Sequence, residues 1–309
     1  MNVTTGKTPL PLEQATLEET VSSLPQISLD KSSIVSDEPV VVIEPTRSWV
    51  AINLRDLWAY RELLYFLMWR DVKVRYKQTT LGIVWVVLQP LLTTLVFTIF
   101  LGKLARVPSD GIPYPLFVYA AMLPWTFFSS AVTNCSVSLV GNANLITKIY
   151  FPRLLMPAAA VGARTVDFGI AFVILIGLMI YYGVAITKTL LLLPALVVLV
   201  VLLALGLGIW VAGLNVKYRD VGHAIPFLIQ IWMFVSPVAY PVSLVPERWR
   251  FLYGLNPMAG VIEGFRWALL GQKAPDTLVM TASLAVFSML VFAGLMYFRQ
   301  MERQFADVI

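Results

Sequence analysis

The stretch GNANLITKIYFPR, residues 141–153, separates two long apolar parts of the sequence. No charged residue occurs between residues 111 and 147, and apolar residues resume at Leu154. Because charged side chains are costly inside a bilayer, Lys148 and Arg153 are predicted to lie at a membrane surface. The stretch is therefore predicted to be a short connection between two membrane spans.

The same stretch has the features of a short amphipathic helix. Asn144 can cap its start and Pro152 can end it, while Leu145, Ile146 and Ile149 would form an apolar face. A helix of this kind between two spans is suited to docking onto another protein. An ordinary interfacial turn is the alternative, and these residues by themselves leave it open.

The composition is that of a membrane protein. Hydrophobic residues make up 58% of the chain, charged residues make up 13%, and the mean hydropathy is +0.77. The predicted fold class is therefore an all-α polytopic membrane protein. The single cysteine, Cys135, excludes an internal disulfide and a cysteine-cluster metal site, and the single histidine, His223, removes most histidine-based sites. The basic residues flank apolar segments, which favours membrane lipids over nucleic acid as a partner.

The region before the first apolar run divides into two parts. Residues 1–45 are acidic and rich in Ser, Thr, Pro and Glu, so they are predicted to form a disordered tail. Residues 46–78 are predicted to form an interfacial amphipathic helix, capped by Asn53, that runs into a basic segment. The apolar face of this helix would consist of Leu57, Tyr60, Leu64 and Leu67.

Six uncharged or nearly uncharged runs are long enough to cross a bilayer, since about twenty residues suffice. These predicted transmembrane helices lie within residues 79–298, at 79–101, 115–140, 154–187, 189–216, 221–245 and 277–298. Six spans place both termini on the same side. Twice as many basic residues flank the spans on that side as on the other, so the positive-inside rule predicts that both termini are cytoplasmic. The tail at 1–45, the stretch 141–153 and the C-terminus at 299–309 would then face the cytoplasm.

One pair of opposite charges falls inside a predicted span. Arg164 and Asp167 are three residues apart, so they share a helical face and can form an ion pair. The pair lies within about three turns of the cytoplasmic edge, which favours a structural role over a functional one. No other acidic residue lies inside a span, and this argues against a proton-driven relay.

The connection between the fifth and sixth spans is predicted to contain a helix of its own. Asn256 can cap this helix, Pro257 suits its first position, and Gly271 suits the residue after its end. The intervening residues are apolar except for Glu263 and Arg266. At about 1.5 Å per residue the helix reaches roughly 20 Å, which is too short to cross. It is predicted to be a periplasmic re-entrant element, and an amphipathic helix resting on the outer surface is the alternative.

Several separated motifs, in a consistent order, carry a resemblance to a known family. These are RDVKVRYK at 70–77 with Leu81, Gly82 and Trp85, LPWTFFSS at 123–130, SLVGNANLI at 138–146, KIYFPR at 148–153, NVKYRD at 215–220 and NPM at 256–258. In these motifs the chain resembles the permease subunits of ATP-binding-cassette (ABC) exporters of polysaccharides. The likeness is strongest to O-antigen permeases, with teichoic acid and capsule permeases as relatives.

The resemblance implies a partner set and a location. Two copies of the permease would form a channel in the bacterial inner membrane, and two separate ATPase subunits would bind ATP and Mg, so that this chain needs no cofactor and has no catalytic site. The cargo would be a polymer linked to undecaprenyl diphosphate. The stretch 141–153 would correspond to the coupling helix that contacts the ATPase, through Asn142, Asn144, Leu145, Lys148, Tyr150, Phe151 and Arg153.

Two further sets of residues are assigned to cargo entry and to the channel. A lipid diphosphate carries its charge at the headgroup level, next to the end of the interfacial helix, and guanidinium groups bind phosphate oxygens through paired hydrogen bonds. The predicted entry residues are Arg70, Lys73, Arg75, Tyr76 and Lys77. The predicted channel or gate residues are Trp85, Asn256, Pro257, Glu263 and Arg266.

Three alternatives remain on the sequence alone. Within the exporter class, the cargo would be teichoic acid, capsule, or another lipid or drug. A secondary transporter or channel predicts buried ionisable residues or inverted repeats, and neither is evident. A membrane-embedded transferase predicts a polar catalytic cluster, for which only Asp220 with His223 and Glu263 with Arg266 are available.

Overall fold

The computed structural model describes residues 58–77, 82–184, 187–271 and 274–302, and within these ranges every regular element is a helix. The α-helices are α1 Arg61–Lys77, α2 Gly82–Phe97, α3 Tyr114–Gly141, α4 Ala143–Lys148, α5 Leu155–Tyr181, α6 Leu193–Lys217, α7 Val221–Val235, α8 Glu247–Gly254, α9 Pro257–Leu270 and α10 Thr277–Glu302. A π-helical segment, Thr98–Leu104, continues α2, and a 3₁₀ turn, Lys188–Leu192, leads into α6. The all-α prediction is therefore confirmed for the described residues.

In the part of the chain that the structure describes, five helical segments are long and apolar enough to cross a membrane: Val84–Leu104, Tyr114–Gly141, Leu155–Tyr181, Lys188–Lys217 and Thr277–Met301. The fifth predicted span is different, because α7 has 15 residues and ends at Val235. Ser236 is extended, as expected before Pro237, and a proline cannot continue the helical hydrogen-bond ladder. The six-span arrangement, with both termini on one side, therefore stays a prediction.

The helix α3 forms the centre of the fold. Most of it is buried, from Leu116 to Leu139, against α5, α6, α7 and α9. Because lipid is as apolar as the helix surfaces, helices in membranes associate through close packing and polar bonds. Both are present here. A Cβ on Gly208 of α6 would lie 2.7 Å from the sulfur of Cys135, and Asn215 Nδ2 donates to the Ser136 carbonyl at 2.9 Å.

The helix α1 lies at the end of the fold that carries the short connection. Glu62 is in its first turn and Arg75 and Lys77 are in its last, which matches the helix dipole. It buries Leu67 in a second core formed with residues of α3, α5, α6 and α10, and it also buries Val72. The predicted N-cap at Asn53 and the tail at 1–45 lie outside the described residues. At the other end of the chain, α10 continues past the predicted boundary at residue 299 and ends at Glu302.

The short helix α4 begins two residues earlier than a cap at Asn144 would place it. Asn142 occupies the N-cap position and Asn144 lies in the first turn, so the capping role predicted for Asn144 is wrong. The Asn142 side chain does not cap α4 either. It donates to the Ser138 carbonyl at 2.8 Å and thereby prolongs contact with the end of α3.

The helix α9 has the predicted bounds. The Asn256 side chain accepts a hydrogen bond from the Met258 amide at 3.0 Å, Pro257 takes the first position, and Gly271 ends the helix with a left-handed φ of 64°. Most of its side chains are buried against α3, α6 and α10. The predicted re-entrant position of α9 in the bilayer stays a prediction.

Candidate functional site

A cavity of about 550 Å³ opens between α2, α3, α5 and α7. Its wall contains aliphatic side chains, among them Met122, Ile229 and Met233, and three further kinds of side chain. The aromatic ones are Trp85, Trp125, Phe127 and Phe168, the uncharged polar ones are Gln89, Thr93, Thr126, Ser129, Ser130 and Gln230, and the charged ones are Arg75, Arg164 and Asp167. Pro90 of α2 also lines the cavity, and since it has no N–H, the carbonyl of Val86 loses its usual intrahelical donor beside the same space.

The charged residues form a cluster around one carboxylate, and we call Arg75, Tyr76, Arg164 and Asp167 the Asp167 cluster. Arg164 Nη1 donates to Asp167 Oδ2 at 3.1 Å, which confirms the predicted pair. Arg75 donates to the same oxygen, and the Tyr76 hydroxyl donates to Asp167 Oδ1. Through these bonds a residue of α5 holds the end of α1.

Tyr76 is kept in its protonated form in this cluster. Burial raises the pKa of its hydroxyl above the usual value, and the hydrogen bond to Asp167 raises it further. The phenol therefore remains a hydrogen-bond donor at neutral pH. Arg75, Arg164 and Asp167 keep 26%, 15% and 16% of their side-chain surface exposed, so the cluster is sheltered but accessible from the cavity.

The predicted entry residues are not all in one place. Only Arg75 and Tyr76 join the Asp167 cluster, because five residues of helix turn Arg70 away from Arg75 by about 140°. Arg70 instead donates to Asp71 Oδ1 and to Asn142 Oδ1, both at 2.9 Å, and so joins α1 to the start of α4. Lys73 and Lys77 are exposed, and the Lys73 ammonium lies 5.7 Å from the centre of the Trp69 ring.

The predicted coupling residues divide into an exposed and a buried group. Asn144, Lys148 and Tyr150 are exposed, and Tyr150 keeps 75% of its surface free. Leu145 and Phe151 pack into the core that also contains Leu67. Two further members, Asn142 and Arg153, are partly buried. The exposed apolar residue Ile149 was not among the predicted coupling residues, although it belongs to the same surface.

The predicted gate residues other than Trp85 belong to α9 and its N-cap, and three of them bond to each other or to the segment around the end of α7. Asn256 Oδ1 accepts from the Trp232 indole at 2.9 Å, and Asn256 Nδ2 donates to Ser236 Oγ at 2.9 Å. Arg266 is fully buried and donates to Glu263 at 3.1 Å and to the Val238 carbonyl at 2.8 Å. These contacts hold α9 against the segment that follows α7. Trp85 is separate from them and lines the cavity from α2.

The model of the family described as ABC-2 type transporter matches residues 62–270. The chain belongs to this family. The matched region runs from α1 to the end of α9, so it contains the cavity, the Asp167 cluster and the connection at α4. Together with the five apolar helices among the described residues, this makes the chain a multi-pass integral membrane protein.

Curated relatives of this ABC-2 permease are similar over nearly their whole length. The O-antigen export system permease protein RfbA of Myxococcus xanthus is 29% identical over 259 residues, which cover 83% of this chain and 98% of the relative. RfbA of Klebsiella pneumoniae is 26% identical over 249 residues, covering 80% and 95%. The polysialic acid transport protein KpsM of Escherichia coli is 25% identical over 244 residues, covering 76% and 92%.

Several residues that line the cavity of this ABC-2 permease are not among the residues predicted from the sequence. Gln89 and Gln230 lie inside apolar runs, and an uncharged polar side chain at such a position was the available signal. Trp125 of the LPWTFFSS motif also lines the cavity, and Phe128 of the same motif packs against its ring. Their rings meet Trp232 of α7 edge to face, at centroid distances of 6.5 and 5.3 Å.

Proposed function

We propose that the chain is the permease subunit of an ABC exporter that moves a polysaccharide, linked to undecaprenyl diphosphate, across the bacterial inner membrane. ATP hydrolysis in a separate subunit would drive the movement. The observation that carries this proposal is the cavity between α2, α3, α5 and α7, which joins aromatic and uncharged polar walls to a cationic end. The similarity to O-antigen permeases supports the choice of cargo.

The cavity wall matches the chemistry of a lipid-linked sugar chain. The apolar faces of sugars stack on rings such as Trp85 and Trp125, and sugar hydroxyls exchange hydrogen bonds with Gln89 and Gln230. A wall of this kind binds through many weak, sequence-tolerant contacts, which suits a polymer that must slide. The cationic end offers guanidinium groups to the diphosphate.

The assembly we propose is a homodimer with two ATPase subunits and with both termini in the cytoplasm. The cavity is partly open, and the side formed by α2 and α7 exposes large apolar residues, among them Val84, Trp85, Phe227 and Phe234. A second copy of the chain would close this side to form a channel. The exposed residues of α4 and its following turn, Asn144, Lys148 and Tyr150, would contact the ATPase.

The decisive experiment identifies the cargo in the source bacterium. Deletion of the gene should leave a lipid-linked polysaccharide on the cytoplasmic side of the inner membrane and remove the same polymer from the cell surface. If teichoic acid or capsule accumulates instead, the chain would be assigned to an exporter of that polymer. Unchanged surface polymers in the deletion strain would contradict the proposal.

A double substitution in the cavity wall tests whether export depends on the cavity. The double substitution Gln89→Leu and Gln230→Leu keeps side-chain volume and membrane compatibility but removes hydrogen-bonding groups from the wall. We expect surface polymer to fall severalfold at normal protein levels. Ser288→Ala is the matched control, because it removes a polar group from a span at an exposed position that does not line the cavity.

A further inference from the structure

Asp167 is an anion placed among cations at the wall of the cavity. Both of its carboxylate oxygens accept hydrogen bonds, from Arg75 and Arg164 on one oxygen and from Tyr76 on the other. The cluster thus contains two guanidinium groups and one carboxylate, which leaves an excess of positive charge. Among the described residues, the buried Nε–H of Arg164 has no acceptor. The cluster therefore has more donor capacity than its own carboxylate satisfies.

We infer that Asp167 is an internal competitor for phosphate, which restricts the Asp167 cluster to ligands that carry more than one phosphate charge. This inference rests on the proposed function for the identity of the cargo. In the resting molecule the carboxylate occupies the donors of Arg75, Arg164 and Tyr76. A diphosphate would displace it and engage both guanidinium groups, including the Nε–H of Arg164.

The physical reason is a charge threshold. The bilayer presents a large excess of phospholipid headgroups, and a phosphodiester carries about one negative charge, the same as the carboxylate it would have to replace. Asp167 is already held in place by the fold, so an ordinary headgroup gains no net charge interaction and loses the entropy of binding. A disubstituted diphosphate carries about two charges and more acceptor oxygens, so it gains an interaction that the carboxylate cannot supply. The carboxylate thereby protects a cationic entry site from the lipids that surround it.

A solely structural ion pair would explain the contacts of Asp167 but not the excess of donors. A latch between α1 and α5 would need only one cation for the one anion. The Asp167 cluster contains two guanidinium groups, those of Arg75 and Arg164, and both residues line the cavity. A structural ion pair and a competitor for phosphate predict different binding preferences when only the charge of Asp167 is removed.

The test is a binding competition on the purified full chain in nanodiscs. A fluorescent polyprenyl diphosphate is the labelled ligand, and the competitors are phosphatidylglycerol, mixed into the disc, and inorganic pyrophosphate in solution. In the wild type we expect pyrophosphate to displace the label and phosphatidylglycerol to leave it bound. In Asp167→Asn we expect the preference for the diphosphate over phosphatidylglycerol to fall by about ten- to hundredfold, the range expected for one charged hydrogen-bonding group.

The control and the contrary outcomes are defined by the same measurement. Asp71→Asn removes an equal charge from the paired carboxylate next to Arg70, outside the cavity, and should keep the wild-type preference. A folded Asp167→Asn chain with unchanged preference, or a wild type from which phosphatidylglycerol displaces the label, would overturn the inference. If Asp167→Asn does not fold, Arg164→Lys keeps the charge but loses the Nε–H, and it should weaken diphosphate binding by about tenfold. Wild-type affinity in Arg164→Lys would equally overturn it.

Failure of this inference is distinguishable from failure of the proposed function. The competition uses purified protein and measures only which anion binds. Export of the polymer in cells is measured separately with the deletion strain. Unchanged binding preference with intact export would remove the role of Asp167 and leave the exporter assignment in place.

Discussion

Arg266 is a fully buried cation whose guanidinium joins three parts of the chain. It forms an ion pair with Glu263 on its own helix, bonds the Val238 carbonyl, and lies 3.5 Å from the centre of the Phe117 ring at the start of α3. Burying a charged side chain costs desolvation free energy. Removing it also destabilises the fold, because its partners lose their hydrogen bonds. We therefore assign it to holding α9 in position, on which any gating movement of α9 would depend.

Replacing Arg266 should strongly destabilise the fold. Arg266→Met roughly keeps the length of the side chain but removes the hydrogen-bond donor of Glu263 and of the Val238 carbonyl. We expect the free energy of unfolding to fall by about 3–5 kcal/mol. Thermal unfolding of the detergent-solubilised protein measures the effect. Arg248→Met is the control, since Arg248 of α8 is exposed and, among the residues that the structure describes, its guanidinium contacts only the Trp249 ring. An unfolding temperature equal to that of the control would contradict the packing role.

At the scale of elements, α4 and the turn after it combine an exposed surface, which we propose contacts the ATPase, with a buried anchor. Neighbouring residues have opposite environments there, because Tyr150 is 75% exposed and Phe151 is 6% exposed. Tyr150→Ala should leave expression and thermal stability unchanged but lower association with the ATPase subunit in co-purification. Phe151→Ala should lower stability by about 3–5 kcal/mol, as for other buried aromatic truncations. Full ATPase association in the Tyr150 variant would contradict the docking role.

The contact between α6 and α10 depends on a glycine. A Cβ on Gly294 would lie 2.1 Å from the Gly206 carbonyl oxygen, so an added methyl group must push the two backbones apart. We expect Gly294→Ala to destabilise the protein by about 1–3 kcal/mol, the usual cost of overpacking. Gly177→Ala is the control, because a Cβ there meets no atom within 4 Å and alanine favours the helix. A Gly294 variant as stable as this control would show that the helices tolerate separation.

At the scale of the whole molecule, the number of spans and the side of the termini are open to a direct test. Cysteines introduced by Ser32→Cys and Asp307→Cys, in a Cys135→Ala background, should not react with a membrane-impermeant thiol reagent applied from outside. Pro108→Cys, in the exposed connection after the first span, should react. The expectation follows from the distribution of basic residues around the spans. External labelling of either terminus would reverse or remove the proposed orientation.

Much of the architecture followed from the sequence because its causes are local. A run of apolar residues long enough for the bilayer must be helical to satisfy its backbone, which explains why the spans near 115–140, 189–216 and 277–298 agree with the structure to within a few residues. The bounds of α9 were predictable for the same reason, since Asn256 and Gly271 act on the backbone next to them. The Arg164–Asp167 pair needed only helical spacing.

Other features depend on which helices become neighbours, and only the tertiary structure decided them. The bonds of Arg75 and Tyr76 to Asp167 cross from α1 to α5, and Gln89 of α2 and Gln230 of α7 line the same cavity. No spacing along the chain reveals these arrangements. Arg70 and Phe151 belong to motifs with an expected role, yet packing placed Arg70 on Asn142 and Phe151 in the core. The sequence by itself determined where helices form, because that choice is made within a few turns of backbone. The tertiary structure decided which side chains share a site, because that choice depends on contacts between residues that are far apart in the chain.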